Sequence, residues 1–315
     1  MFKWFDPMVR LVTAAIVIAT ILPATGMLHE LVQDISNVAV FVLFLLYGLK
    51  IARGEVWAGI RNWRLLLPLT LFVFGVMALA GWAAWQLTLP LLPATLALGF
   101  LYLGVLPSTV QSATAYTSIA GGNIASSVIA AALLNIIGVF VSAPLFSALA
   151  GTSGEGFTSS TLVRVMTLLL LPFVIGQAAQ GFAGHWVKGH RKATSLLERG
   201  TIGLAVYTAF SGAVAEGIWH RVHLSDWGLL IAACGVLLVV GYGGAWLLGR
   251  MLRLNHADQI SVVFAGAQKS IAMGAPLATV LFPPASAGII LMPLLVYHLA
   301  QMVVAAPIAT RLREG

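Results

Sequence analysis

Charge is scarce in this sequence. Asp, Glu, Lys and Arg make up 9% of the 315 residues, against about 25% in a soluble domain. That shortage excludes an ordinary water-soluble enzyme or scaffold. Cysteine occurs once, as Cys234 within an apolar run. An intrachain disulfide and a thiolate metal centre are therefore ruled out, and the residue reads as small core filler. Acidic residues number only 10, and none lies deep in an expected span. His185, His190, His220 and His223 sit in or beside loops, with no carboxylate or cysteine set around them that reads as a metal site. Gly241, Gly243 and Gly244 fall inside an apolar run, where they suggest close helix packing and not nucleotide binding. No enzyme motif and no cofactor is implied.

What the sequence has in abundance is hydrophobic residues, 60% of the chain, with a mean hydropathy of +0.97. Several runs exceed the length of about 18 residues that crosses a bilayer. The net charge of +7 is spread over several short loops instead of one face, so nucleic acid is not a partner. The lipid bilayer is.

Ten spans are expected, near 9–25, 35–52, 65–87, 94–118, 123–149, 161–182, 196–216, 227–249, 258–282 and 287–310. In hydrocarbon every backbone polar group needs an internal partner, so these should be helices, and the fold class is an all-α polytopic membrane protein. Residues 1–26 imitate a secretory leader, but the charge pattern requires this stretch as the first span. With the N-terminus in the cytoplasm, fourteen basic residues fall inside: Lys3, Arg10, Lys50, Arg53, Arg61, Arg64, Lys188, Arg191, Lys192, Arg199, Arg250, Arg253, Arg311 and Arg313. Only Arg164 and Arg221 fall outside. That bias places both termini in the cytoplasm, with a bacterial inner membrane as the expected location. The nine Trp residues, Trp4, Trp57, Trp63, Trp82, Trp85, Trp186, Trp219, Trp227 and Trp246, lie near span ends, as in aromatic belts.

The chain, taken as one transporter unit over 1–315, holds an internal repeat of approximately 1–155 and 156–315. RGEVWAGIRNWR at 53–64 compares with EGIWHRVHLSDW at 216–227, and Ser142-Ala143-Pro144 with Ala305-Ala306-Pro307. Each half has five spans, an odd number, so the second half enters the membrane from the opposite side. The same offset pairs two polar interruptions. Span four reads LPSTVQSATAYTSIAGGN over 106–123, and span nine reads FAGAQKSIAMGAP over 264–276. Pro107 removes a helix hydrogen bond and disfavours helix at Leu106. Gly266, Gly274 and Pro276 loosen span nine. Spans four and nine are thus expected to be broken and to cross at mid-membrane. Paired interruptions in inverted halves mark a transporter site, and they nominate Ser108, Thr109, Gln111, Ser112, Thr114, Gln268, Lys269 and Ser270. Small-residue helix packing is the competing reading.

Lys269 stands midway along its span with no carboxylate at that depth. A lysine there costs about 2.5–3.5 kcal/mol on insertion scales. It must face a water-filled cavity, donate to carbonyls freed at the helix breaks, or shed its proton. Its role is either to tie the broken helix to span four or to act as a tethered cation for an anion or for proton coupling. Asn135 and His298, 163 residues apart, are further deep polar candidates. Gln301, one turn beyond, could serve simply as the partner of His298.

At these motifs the chain resembles the bile acid:sodium symporter family over essentially its whole length. The resemblance implies a panel of spans 1, 2, 6 and 7 and a core of spans 3–5 and 8–10, working as a secondary carrier by alternating access. It also implies a degenerate sodium site. The family's sodium-binding Gln is matched by Gln268, but its Glu by Phe264 and its following Asn by Lys269. One helix-five hydroxyl is kept as Ser127 and the other position is Ala131. Ser112 or Thr114 stands nearest the span-four pair. The coupling ion, sodium or a proton, is left open, with sodium dependence disfavoured by the missing carboxylate and the added ammonium. The leading function is transport of a small organic anion. A membrane regulator of ion or lipid homeostasis and a cation/proton antiporter are the alternatives. The sequence does not give the oligomeric state.

Overall fold

The computed structural model describes all residues except 1–6, 53, 55–56, 58–60, 152–158, 218–221 and 315. Lys3, Trp4, Arg53, Trp219 and Arg221, and parts of the two Trp-containing stretches compared above, therefore lie outside the described residues. The described chain is all-helical, with no strand. In order, the helices are α1 (Pro7–Ile21), α2 (Gly26–Lys50) and α3. The last runs through Trp63–Leu71, a π turn at Phe72–Val76, and Met77–Thr88. They continue as α4 (Ala94–Val105), α5 (Val110–Ile119), α6 (Ile124–Ala150) and α7. This helix comprises Ser159–Val165, a π turn at Met166–Leu170, and Leu171–Gly189. The last are α8 (Arg191–Ala215), α9 (Leu224–Met251), α10 (His256–Ala267), α11 (Ile271–Leu281) and α12 (Pro284–Glu314).

Seven helices among the described residues are long and apolar enough to cross a membrane, with α10 and α11 taken together as His256–Leu281. The pair α4–α5, bent by 62°, makes an eighth if it is one span. This is a multi-span membrane protein. Helix α1 is apolar but has only 15 residues. Helix α8 has the length, with 25 residues, but carries Arg191, Lys192, Glu198 and Arg199. Helix α2 starts at Gly26, well before residue 35, so Glu30 and Asp34 belong to a helix and not to a loop.

The chain divides into two compact units. The first holds Met1–Arg53, Thr152–His223 and Gly274–Leu291. Within it α2 and α7 meet through glycines. A Cβ on Gly176 would stand 2.2 Å from the Leu45 carbonyl, and one on Gly48 would stand 2.3 Å from the Phe173 carbonyl. Such backbone approach is how membrane helices gain contact without a hydrophobic drive between them. Gln177 then donates to the carbonyls of Gly48 (2.7 Å) and Ile51 (3.1 Å), closing the end of α2. Glu198, on α8, is buried and pairs with Lys50 and Tyr47 of α2. Replacing Gly176 by Ala is expected to lower stability by about 1–3 kcal/mol, as overpacking does, with Gly181→Ala, on the same helix and facing open space, nearly neutral. Thermal unfolding in detergent compares the two.

The second unit holds Gly54–Gly151, Leu224–Met273 and Met292–Gly315. Its apolar core joins α3, α6, α9 and α10 through Leu69, Phe72, Met77, Leu134, Ala245 and Val262. Gly241 and Gly244 do allow close packing, against Tyr297 and Ala267 and against the Phe72 ring, whereas Gly243 faces open space. Cys234 is buried and forms no disulfide. Gly81 of α3 and Gly104 of α4 touch, the Cβ of the first falling 2.5 Å from the Phe100 carbonyl.

Candidate functional site

Two helix breaks of the second unit meet here. Span four stops at Val105 and resumes at Val110. Leu106, ahead of Pro107, is extended with ψ 148°, the conformation that a following proline imposes. Span nine stops at Ala267 and resumes at Ile271, with Gln268 extended at ψ 142°. Its break therefore falls on Gln268-Lys269-Ser270. Gly266 lies within α10, and Pro276, expected to add a break, lies within α11.

A broken helix in an apolar setting leaves carbonyls that need donors. From Leu103 to Ser108 each one has a donor. Leu103 accepts from the Leu106 N–H at 3.4 Å and Pro107 from the Ser270 N–H at 3.0 Å. Gly104 and Leu106 each accept from the Lys269 ammonium at 2.8 Å. Val105 accepts from the Ser142 hydroxyl at 2.9 Å, and Ser108 from the Asn135 amide at 2.8 Å. A third carbonyl, Val73, stands 3.4 Å from the ammonium, and it belongs to the π turn of α3, whose widened winding loosens the regular helix bonding. Lys269 is fully buried. Donation to freed carbonyls, one of the three fates open to it, is met here, and in this conformation the amine presents no face to water or solute.

The break in span nine is closed by α12. The Tyr297 hydroxyl donates to Ala267 O at 2.6 Å, as Ser142 does to Val105 O. The Gln301 side chain clamps the Lys269 peptide. Its Oε1 accepts from the Lys269 N–H at 2.8 Å, and its Nε2 donates to the Lys269 carbonyl at 3.1 Å. The same Nε2 lies 2.8 Å from His298 Nδ1. So α6 serves the α4–α5 break with one hydroxyl and one amide, and α12 serves the α10–α11 break with one of each.

The structure brings together Ser108, Ser112, Asn135, Gln268, Lys269, Ser270 and His298. The Ser112 hydroxyl donates to Gln268 Oε1, and the Tyr242 hydroxyl interacts with the Gln268 side chain. Ser270 Oγ accepts from the Met273 N–H at 3.2 Å, capping α11. Ser127 is set apart, its hydroxyl accepting from Thr117 at 3.2 Å. The two best sodium-site matches, Gln268 and Ser127, are thus both engaged by hydroxyls of α5. Gln111 is exposed, so it does not enter the junction as Gln268 does. Thr109 begins α5 without a side-chain cap. Ser108 Oγ and Thr114 Oγ1 are buried with no hydrogen-bond partner. Phe264, fully buried, stacks on Tyr116 with ring centres 5.8 Å apart and meets Tyr242 edge-on at 6.2 Å. Sequence reasoning missed Tyr297 and the clamp made by Gln301. The available signal was a phenol and an amide flanking His298 in an otherwise apolar run.

The profile of the SBF-like CPA transporter family matches residues 6–314. The chain belongs to that family. Its relatives include the putative symporter YfeH of Escherichia coli (strain K12), 35% identical over 319 residues, which span 100% of this chain and 95% of the relative. An uncharacterized protein of Pseudomonas aeruginosa is 37% identical over 300 residues, 95% of this chain and 90% of that one. Sodium/bile acid cotransporter 7 of Mus musculus is 23% identical over 289 residues, 89% of this chain and 83% of the relative. The resemblance to bile acid:sodium symporters stands on the first and third of these relatives, which are named as a putative symporter and a cotransporter. Lys269 and the carbonyls that accept from it thus lie where two helix breaks meet, in a member of a transporter family.

Proposed function

We propose that this chain is a secondary-active carrier for a small organic anion that works by alternating access without sodium. It would do so with ten spans in two inverted halves and both termini in the cytoplasm, in a bacterial inner membrane. The observation that carries the reading is the Lys269 ammonium held by the Gly104 and Leu106 carbonyls at the helix break. Backbone carbonyls freed by a broken helix are what a transporter offers to a coupling cation. Here a tethered cation takes that place, and Phe264 with its stacked rings takes the place where the resemblance puts a carboxylate. Support for the inverted halves comes from the matched way in which α6 and α12 close the two breaks.

Because Lys269 is committed to carbonyls, attraction for a negative solute is assigned to the starts of α5 and α11. There the positive helix end favours an anion, beside the buried Ser108 hydroxyl. Uptake of an organic-anion panel into proteoliposomes tests the reading. Uptake is expected to continue at full rate when potassium replaces sodium. A requirement for sodium at low millimolar concentration would sink it.

A further inference from the structure

The hydrogen-bond senses around Gln301 are fixed by chemistry. A peptide N–H can only donate and a peptide carbonyl can only accept. With Oε1 against the Lys269 N–H at 2.8 Å and Nε2 against the Lys269 carbonyl at 3.1 Å, the amide has one orientation. Its second Nε2 hydrogen then points to His298 Nδ1 at 2.8 Å. That ring nitrogen must accept. His298 is therefore neutral in this conformation, with its proton on Nε2, and it is buried at 6% exposure.

Adding a proton at Nδ1 breaks the arrangement whichever way Gln301 responds. If the amide stays, Nδ1–H meets Nε2–H, donor against donor. If the amide turns over, Oε1 accepts from the ring but faces the Lys269 carbonyl, and Nε2 faces the Lys269 N–H. A protonated His298 and a clamped Lys269 peptide exclude each other.

We propose that His298 is the proton-binding site through which this carrier couples solute movement to pH, acting on the span-nine break by way of Gln301. The proposal rests on the carrier reading above. Proton uptake releases the Lys269 peptide, leaving the break held by the Lys269 amine, by the Ser270 N–H to Pro107 and by Tyr297 on Ala267 O. The population then moves away from the conformation described here. Among the described residues, the titratable groups brought against this part of α12 include Lys269 from the break, Tyr242 of α9, which donates to Gln301 O at 3.4 Å, and Tyr116 of α5, which donates to Met302 O at 2.9 Å. Tyr297, on α12 itself, donates to Ala267 O. Phenols stay neutral through the imidazole range, which leaves Lys269 as the rival sensor.

Hydrogen–deuterium exchange over residues 265–272 of the purified chain in lipid nanodiscs, corrected for intrinsic rates, separates the two. Exchange in the wild type is expected to rise about tenfold between about pH 7.5 and 5.5. In His298→Asn, whose Oδ1 replaces Nδ1 as an acceptor and does not titrate, it is expected to stay flat. Absence of any pH response in the wild type overturns the proposal, and so does an equal response in the variant. Should the variant fail to fold, nitrogen NMR of labelled histidine in the wild-type chain decides the same point. A proton on Nε2 of His298 at neutral pH is expected, and one on Nδ1 overturns the proposal. A chain that responds in exchange but moves no solute in proteoliposomes fails the carrier reading and the coupling role with it, whereas pH-independent exchange in a chain that does move solute fails the coupling role alone.

Discussion

Replacing Lys269 by Met is expected to remove transport and to lower stability by about 2–6 kcal/mol. Methionine keeps the length and apolar stem of lysine, so cavity formation contributes little. What is lost is the ammonium, which has three hydrogens and three carbonyls around it. Gly104 and Leu106 are held at 2.8 Å, and Val73 stands at 3.4 Å. A buried acceptor stripped of its donor costs about 1–3 kcal/mol, and no water reaches the fully buried site. The two close contacts set the figure. Thermal unfolding in detergent should show the midpoint falling by several degrees. A variant that unfolds at the wild-type temperature would contradict the assignment of Lys269 as the donor for the broken helix.

The second large effect is expected at Gln301. Leucine in its place removes both hydrogen bonds to the Lys269 peptide, at 2.8 and 3.1 Å, together with the contact to His298. A donor and an acceptor are left without partners, and Gln301 is fully buried. A loss of about 2–5 kcal/mol follows from the desolvation penalty of the two groups. Exchange of the amides at 268–270 should accelerate along with the fall in midpoint. Gln111→Leu supplies the contrast. Gln111 is exposed, and its replacement should change stability by no more than about 0.5 kcal/mol. Equal effects at the two positions would show that the junction is not where the energy is held.

Much of the junction was legible because its signals are chemical and local. Pro107 forces the residue before it out of the helix, and Lys269 cannot lie bare in hydrocarbon. Both facts survive without any knowledge of neighbours. The break in span nine was harder to place. Gly266, Gly274 and Pro276 are the residues that usually loosen helices, yet they remain inside α10 and α11, while Gln268-Lys269-Ser270 is non-helical. The break sits where partners exist for the backbone, and those partners, Gln301, Tyr297 and Pro107, lie far away in the chain. Propensity cannot see them. Gln111 misled for a related reason. Its spacing from Gln268 matches the repeat, but helix facing decides which of two such residues turns inward, and a facing error of one residue carries a side chain about 100° around the axis. The span count depended on hydropathy alone, and α1 and α8, one short and one carrying charge along its first turns, lie at the edge of what that measure resolves.

The acceptors for the buried amine belong to residues 73, 104 and 106, and the amine belongs to residue 269. During synthesis the oxygen cradle leaves the ribosome some 160 residues before the group it will receive. The lysine thus enters the bilayer only after its resting place has been made. A circularly permuted gene that starts after residue 223 would reverse that order and present a bare cation to lipid, where insertion of that segment should falter.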